Sequence, residues 1–535
     1  MRATAQLMDE RVAALSTQAR GAVQARDWAT VERSAEALVA VAPGHPEGHF
    51  LAGLAHKAAT RPLKAIAAFE LALELDPTRY DAAVELAGQY SFARRNGESA
   101  ALLDRYVGQL VNSPRYLDMA ATTYTEIGLP ERAWPLYCKA VELQPEIDLF
   151  QGNKAACAVY VGELEEAKSI YQRLLASRPA HQRNHYYLAR LGRAVDDGHL
   201  RQMQQQLERG NLPPEQNVFL YYAIGKELED LERWDEAFDY YRAAGDAVMR
   251  VAQYDIQADL ALIDRIIGTC DAGWVGTEGG SAETAGRAPH TPVFIVGLPR
   301  TGTTLTERIL CSHSRVESLG ETQFLQMVIR RESGVHSVEP MTPEMISAAA
   351  GKDIRRIADG YLEAVAYRLG DRPLFIDKLP YNFLFLGFIA KAWPDARIIH
   401  VSRHPMDSCF AMYKQVFTWA YKFSYSLDHL ARYYVAYRRL LDHWRATLGE
   451  RLVEVEYERL VSDPEAETRR LLAALGLDFE EACLHFERNR SASTTASSVQ
   501  VREKIHDRSV GRWRHFRTQL EPLRHALEQA GIAVD

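Results

Sequence analysis

Small, large and proline positions recur through the first third of the chain on one 34-residue period. Prolines at 43, 77, 145 and 179 share a phase, with Pro114 three residues off the missing position at 111. A second column holds Gly53, Ala87, Ala121, Ala155 and Ala189, a third Ala65, Ser99, Ala133 and Ala167, and a fourth Phe69, Leu103, Tyr137 and Tyr171. Small residues suit the close approach of two antiparallel helices, large ones the packing of the next pair, and proline the end of a helix. The pattern predicts stacked helix pairs over roughly residues 10 to 180. One further unit, with Gly225, Ala237, Tyr241 and Ala244, lies two residues out of phase after an irregular helical insert near 180–216.

The pattern then changes. Residues 271–292 are rich in Gly, Ala, Ser and Thr without an apolar stripe, and read as a linker or mobile loop. Beyond them the apolar runs 292–297, 373–377, 396–401 and 451–457 alternate with amphipathic helical stretches, which predicts buried strands in a parallel α/β sheet. The expected organisation is a helical repeat domain over 1–250, a linker over 251–291 and an α/β domain over 292–535. The register of the repeats resembles the tetratricopeptide repeat. That resemblance implies an α-superhelix whose concave groove holds a protein or peptide, or simply supports its neighbour.

Composition narrows the function classes. With 47% hydrophobic residues, 25% charged residues and a net charge of −8, the 535-residue chain has no basic field for nucleic acid. No window approaches the roughly 18 apolar residues of a membrane helix, and the first 20 residues lack a secretory pattern. Six scattered cysteines without metal spacing read as reduced thiols, so the expected location is cytoplasmic. The sequence leaves the oligomeric state open.

The candidate chemistry sits at GLPRTGTT, residues 297–304. A strand, a glycine turn and an amphipathic helix place backbone N–H groups at a helix N-terminus, a geometry that binds anions. Arg300, Thr301, Thr303 and Thr304 add donors for phosphate oxygens. Thr303 stands where a nucleotide-binding loop carries lysine, which disfavours an ATPase or kinase. Arginine before the loop and hydroxyls after it suit a 5′-phosphate bearing a sulfonate.

GLPRTGTTL, followed by FIDKLPYNF, RIIHVSRHPMD and SVQVREKIHDRSVGRWRHF, resembles the bacterial tetratricopeptide-repeat sulfotransferases and, more distantly, the protein-tyrosine sulfotransferases. The resemblance covers essentially the whole chain. It implies a P-loop-like α/β domain and 3′-phosphoadenosine 5′-phosphosulfate (PAPS) as co-substrate, with no metal. Arg300, Thr301, Gly302, Thr303 and Thr304 would hold the 5′ end of PAPS, and Arg403 its 3′-phosphate. The family's serine eight residues beyond that arginine is replaced by Ala411, leaving Ser408, one turn earlier, to share the contact. Tyr457 would lie near the adenosine, and Ser497, Gln500 and Arg502 in the segment that folds over the donor. Glu321 would be the general base, and Lys378, assisted by Arg300, would stabilise the leaving phosphate. Asp377 would orient Lys378. The implied reaction moves a sulfonate to a hydroxyl, with a protein or peptide tyrosine as leading acceptor. Carbohydrate, lipid and small-molecule hydroxyls stay open, as does a repeat-based binding protein with a decayed catalytic domain, which Ala411 would favour.

Overall fold

The computed structural model describes residues 2–210, 212–276, 290–417 and 420–534, with side chains from residue 9. Two compact units divide it, 1–157 and 158–535.

In the first unit, helix pairs follow the periodic columns. Pro46–Ala58 packs against Pro62–Leu75, and Pro114–Glu126 against Pro130–Leu143. Proline at the first helical turn starts these helices, where its missing N–H costs nothing. The column residues Ala65, Phe69, Ala87, Leu103, Ala121, Ala133 and Tyr137 are all buried. A Cβ on Gly53 would lie 2.4 Å from the Phe69 ring, so the small and large columns meet face to face.

The second unit repeats that device once more, since a Cβ on Gly225 would lie 2.6 Å from the Tyr241 ring. Its sheet is built from β1 (Thr291–Gly297), β2 (Val316–Ser318), β3 (Leu374–Asp377), β4 (Arg397–Ser402) and β5 (Leu452–Glu456). The order is β2-β3-β1-β4-β5, with every pairing parallel. Strand alternation sends Val293 and Ile295 into one apolar layer and Phe294 and Val296 into the other, so helices cover both faces. Four of the strands coincide with the apolar runs. The fifth, β2, has only three residues, too few for a periodic signal.

The structural division falls at 157/158 rather than near 250. Helices Val218–Asp230 and Trp234–Val251 share one apolar core with the sheet: the Phe238 ring stacks on Tyr413 at 5.8 Å and Tyr241 meets Phe410 at 6.3 Å. Much of the expected linker over 251–291 is also helical, because Leu262, Ile263 and Ile266 give Ile256–Thr269 a buried stripe. That helix packs on Leu427–Leu448. Residues 277–289 of the linker lie outside the described residues. No described helix is long and apolar enough to cross a membrane.

Candidate functional site

Strand β1 ends at Gly297, whose φ of +152° suits glycine. A Cβ there would lie 2.4 Å from the Val401 carbonyl oxygen, so β1 and β4 approach this closely only with glycine. The chain then turns through Arg300 at φ +68° and Gly302 at φ +104° before helix Thr303–Cys311 begins. Arg300 is a non-glycine residue in the left-handed region, which costs on the order of 1 kcal/mol. The Thr301 hydroxyl donates to the Leu298 carbonyl at 2.8 Å and fixes the turn. No side chain caps the helix at Gly302, which leaves its first N–H groups facing the loop.

Tyr457 lies directly beneath: a Cβ on Gly302 would sit 2.6 Å from its ring, and the Arg403 guanidinium lies 5.0 Å from the ring centre. Arg403 donates from Nη1 to the Arg300 carbonyl at 3.1 Å and from Nη2 to the Ser509 carbonyl. Its Nε is buried without a hydrogen-bond partner among the described residues, as are both ring nitrogens of neighbouring His404. Buried donors without partners at a helix N-terminus and strand end fit an anion. Ser408 and Ala411 occupy successive turns of the buried helix Pro405–Tyr413, and only the first carries a hydroxyl.

The C-terminal segment straps across the loop. Arg300 donates from Nη1 to Ser497 Oγ and from Nη2 to Gln500 Oε1 at 2.8 Å, while Thr304 Oγ1 meets Thr495 Oγ1 at 3.3 Å. Arg308, from the next turn of the same helix, donates to the hydroxyl and carbonyl of Ser491. Burial lowers the Arg300 guanidinium to about 10, and the like charges of Arg190 and Arg403 add to the effect. It stays a cation at neutral pH. Arg502 is drawn elsewhere: its Nη2 donates to the Tyr160 carbonyl at 2.9 Å, and its guanidinium covers Gly162 so closely that a Cβ there would lie 2.4 Å from it. It anchors the strap to a repeat helix end, whereas Ser497 and Gln500 reach the loop.

A second cluster joins the two residues expected to carry transfer. Parallel pairing of β2 with β3 continues into the loops, where Leu319 N–H donates to Ile376 at 2.8 Å and Lys378 N–H to Gly320 at 2.9 Å. That register sets Glu321 beside Lys378, whose Nζ donates to Glu321 Oε1 at 2.5 Å. Lys378 is fully buried, whereas the Glu321 side chain is 38% exposed. Glu307, on the helix Thr303–Cys311, stands 3.7 Å from the same Nζ and accepts a hydrogen bond from the Ser318 hydroxyl. Burial alone would lower the Lys378 ammonium, but Glu321 and Glu307 outweigh it and hold it above the usual lysine value. Nothing in its sequence neighbourhood sets Glu307 apart from an ordinary helix glutamate.

Asp377 faces the other side of the strand. It accepts hydrogen bonds from Thr322 (2.6 Å), Tyr361 (2.8 Å) and Asn382 (3.3 Å), so it organises those three groups, contrary to the expectation that it orients Lys378. Burial raises its carboxyl to about 6.

Residues 292–481 match the sulfotransferase family and residues 46–79 a tetratricopeptide repeat. An uncharacterized protein of Aquifex aeolicus is 29% identical over 376 residues, covering 69% of this chain and 49% of its own length. The chain thus spans about half of that relative. A putative protein-tyrosine sulfotransferase of Caenorhabditis briggsae is 26% identical over 231 residues, 41% of this chain and 80% of that one. Among solved structures, the sulfotransferase domain of the Synechococcus PCC 7002 olefin synthase is 22% identical and covers 46% of this chain and 96% of its own, at a TM-score of 0.33. The chain therefore carries a sulfotransferase-family domain in its C-terminal half and tetratricopeptide repeats in its N-terminal half.

Proposed function

We propose that the chain is a PAPS-dependent sulfotransferase that moves a sulfonate to a hydroxyl acceptor, with a protein or peptide tyrosine as that acceptor. The observation that carries the reading is the 2.5 Å pair of half-exposed Glu321 with buried Lys378, tied through Glu307 to the phosphate-loop helix.

The chain's groups divide the work. Backbone N–H groups of 301–304 and the hydroxyls of Thr303 and Thr304 hold the 5′ end of the donor, and Arg300 adds a cation. Arg403, with its Nε unpartnered among the described residues, and Ser408 take the 3′-phosphate. Tyr457 holds Arg403 in position from below. Glu321 accepts the acceptor hydroxyl's proton as oxygen attacks sulfur. Protonation of Glu321 weakens its hold on Lys378, which frees the ammonium to meet the negative charge growing on the departing phosphate oxygen. Ser497 and Gln500 exchange Arg300 for the donor, while Arg502 keeps the strap anchored. Kinship with proteins named as tyrosine sulfotransferases and a repeat array of the kind that binds peptides support the choice of acceptor.

The test is incubation of the full chain with ³⁵S-labelled PAPS, a tyrosine peptide and a cell extract. Label on tyrosine, reduced by roughly 10²-fold or more in Glu321→Gln, is the expected result. Label confined to glycan or lipid would reassign the acceptor, and bound donor without transfer would favour a binding protein.

A further inference from the structure

Residues 493–502 of the strap form a loop closed on one atom. The Tyr160 carbonyl accepts from the Ser493 N–H at 2.9 Å and from Arg502 Nη2 at 2.9 Å, so both ends of the loop meet there. Between them the chain bonds to itself. Ser497 N–H donates to Thr495 Oγ1 at 3.1 Å, Ser498 N–H to the Thr495 carbonyl at 3.1 Å, and Val501 N–H to the Ser497 carbonyl at 3.1 Å. A short loop that satisfies much of its own backbone and is pinned at its base moves as one piece about that base. Its Thr495, Ser497 and Gln500 side chains are the ones that meet Thr304 and Arg300.

One further contact holds this loop from the side. Arg190, at the end of helix Gln182–Arg190, donates from Nη2 to the Ala496 carbonyl at 2.6 Å, one residue before Ser497. Its Nη1 donates to the Tyr186 hydroxyl at 2.6 Å, and its guanidinium lies 5.2 Å from the Tyr186 ring centre. Tyr186 is buried and fixed in turn: Gln415 Nε2 donates to its hydroxyl at 3.1 Å, and Phe219 meets its ring edge to face at 5.4 Å. Two guanidinium groups therefore grip one dipeptide, Arg190 through the Ala496 carbonyl and Arg300 through the Ser497 hydroxyl. The helix that carries Arg190 precedes the sheet in sequence, and no motif of the 297–304 turn or of the strap points to it.

We propose that Arg190 is a positioning residue for the donor: by holding the Ala496 carbonyl it keeps Ser497 at the 5′ end of the donor after the anion has taken Arg300. In the structure the Ser497 hydroxyl accepts from Arg300. A phosphosulfate that takes this guanidinium leaves the hydroxyl free to rotate and donate to the same anion. The exchange needs Ser497 to stay in place while its first partner leaves, and Arg190 supplies a hold that the anion does not compete for. Preordering of this kind lowers the entropy cost of binding and shows chiefly as slower dissociation. The Tyr160 carbonyl sets the reach of the loop, and Arg190 sets its closed position. The proposal rests on the donor placement given under the proposed function.

Calorimetry and stopped-flow binding on the full chain test it with two ligands, adenosine 3′,5′-bisphosphate and adenosine 3′-monophosphate, which lacks the phosphate that the loop covers. Arg190→Ala should weaken the bisphosphate about tenfold, mostly through faster dissociation, and leave the monophosphate within about twofold. Arg190→Gln keeps an N–H donor for the Ala496 carbonyl and should recover part of the loss. Tyr186→Phe keeps the ring but removes the hydroxyl that braces Arg190, and should weaken the bisphosphate about threefold. Damage to the fold would instead weaken both ligands together. Equal bisphosphate affinity in Arg190→Ala and the unaltered chain overturns the proposal, and so does an equal loss of both ligands in Arg190→Ala and Arg190→Gln alike. Failure of the unaltered chain to bind the bisphosphate overturns the donor placement and this inference with it. Arg190-dependent bisphosphate binding without any ³⁵S transfer would count against the reaction and leave the positioning role standing.

Discussion

Lys378 is buried between two carboxylates: its Nζ lies 2.5 Å from Glu321 and 3.7 Å from Glu307. At rest the pair of acids outnumbers the base, so one acid can be neutralised by an incoming proton without leaving a buried ammonium alone. Glu321→Gln should lower kcat by roughly 10²- to 10⁴-fold with donor affinity kept, the range of a lost general base. Glu307→Gln should act differently. With one counter-charge gone, Lys378 deprotonates more readily, so the alkaline limb of kcat moves to lower pH and the rate at pH 9 falls about tenfold. A pH–rate profile of this variant checks it, and Glu307→Asp should restore part of the limb.

Arg403 should control donor affinity rather than turnover. Its Nε is buried without a partner among the described residues, so Arg403→Ala removes a charged donor from the proposed 3′-phosphate site. A charged hydrogen bond contributes about 1.5 to 3 kcal/mol, which corresponds to a 10- to 100-fold weaker adenosine 3′,5′-bisphosphate in calorimetry. Unchanged affinity would move the 3′-phosphate elsewhere. Ser408→Ala should add a smaller loss, because Ala411 offers no substitute hydroxyl on the next turn.

Asp377 predicts a pH dependence of stability. Its folded carboxyl titrates at about 6, above its ordinary value, because burial disfavours the anion. The fold thus binds the proton more tightly than the unfolded chain. Stability from this group is present in acid and is lost as pH rises from about 4 to about 6. Asp377→Asn should remove that slope. It should cost less than about 1 kcal/mol at pH 8, because the buried Asn382 Oδ1, unpartnered among the described residues, can turn to accept from the new amide. Chemical denaturation at pH 5 and pH 8 measures both.

Glu229 ties the end of helix Val218–Asp230 to the C-terminal strap. Its Oε1 accepts from Lys414 at 2.6 Å and from Arg512 at 3.0 Å, and its Oε2 from Tyr241 at 2.9 Å. Burial would raise this carboxyl, but the two cations outweigh it and hold it below the usual range. Its contribution is therefore present above the ordinary glutamate range and is lost only in stronger acid. Glu229→Gln leaves Lys414 and Arg512, each about a quarter exposed, without their shared counter-charge and should cost about 1 to 3 kcal/mol, read as a lowered denaturation midpoint.

Periodic features were legible in the sequence. The Gly53 and Phe69 columns announce helix pairs because each repeat must solve the same packing problem, and GLPRTGTT announces a tight turn into a helix N-terminus because few local sequences give that turn. Pairs made by distant chain segments were not legible. Arg502 finds the Tyr160 carbonyl, and Arg308 finds Ser491, through contacts that no local spacing encodes. The unit border at 157/158 was hidden for a related reason. Helices with repeat character, such as Trp234–Val251, turn their apolar faces toward the sheet, and a repeating pattern does not say which neighbour will cover it.

The strap has a further consequence. Arg300 is already engaged by Ser497 and Gln500, so any anion arriving at the loop must displace side chains that satisfy the guanidinium. Occupancy is then an exchange of partners rather than the filling of a vacant charge. A ligand with a single anionic end gains little from that exchange, because it gives back one set of hydrogen bonds for another. A ligand that also reaches Arg403 gains a contact at the buried Nε, for which no described residue competes. Under the proposed function, the cost of the first displacement would favour a molecule with two well-separated phosphates before any base or sugar is read.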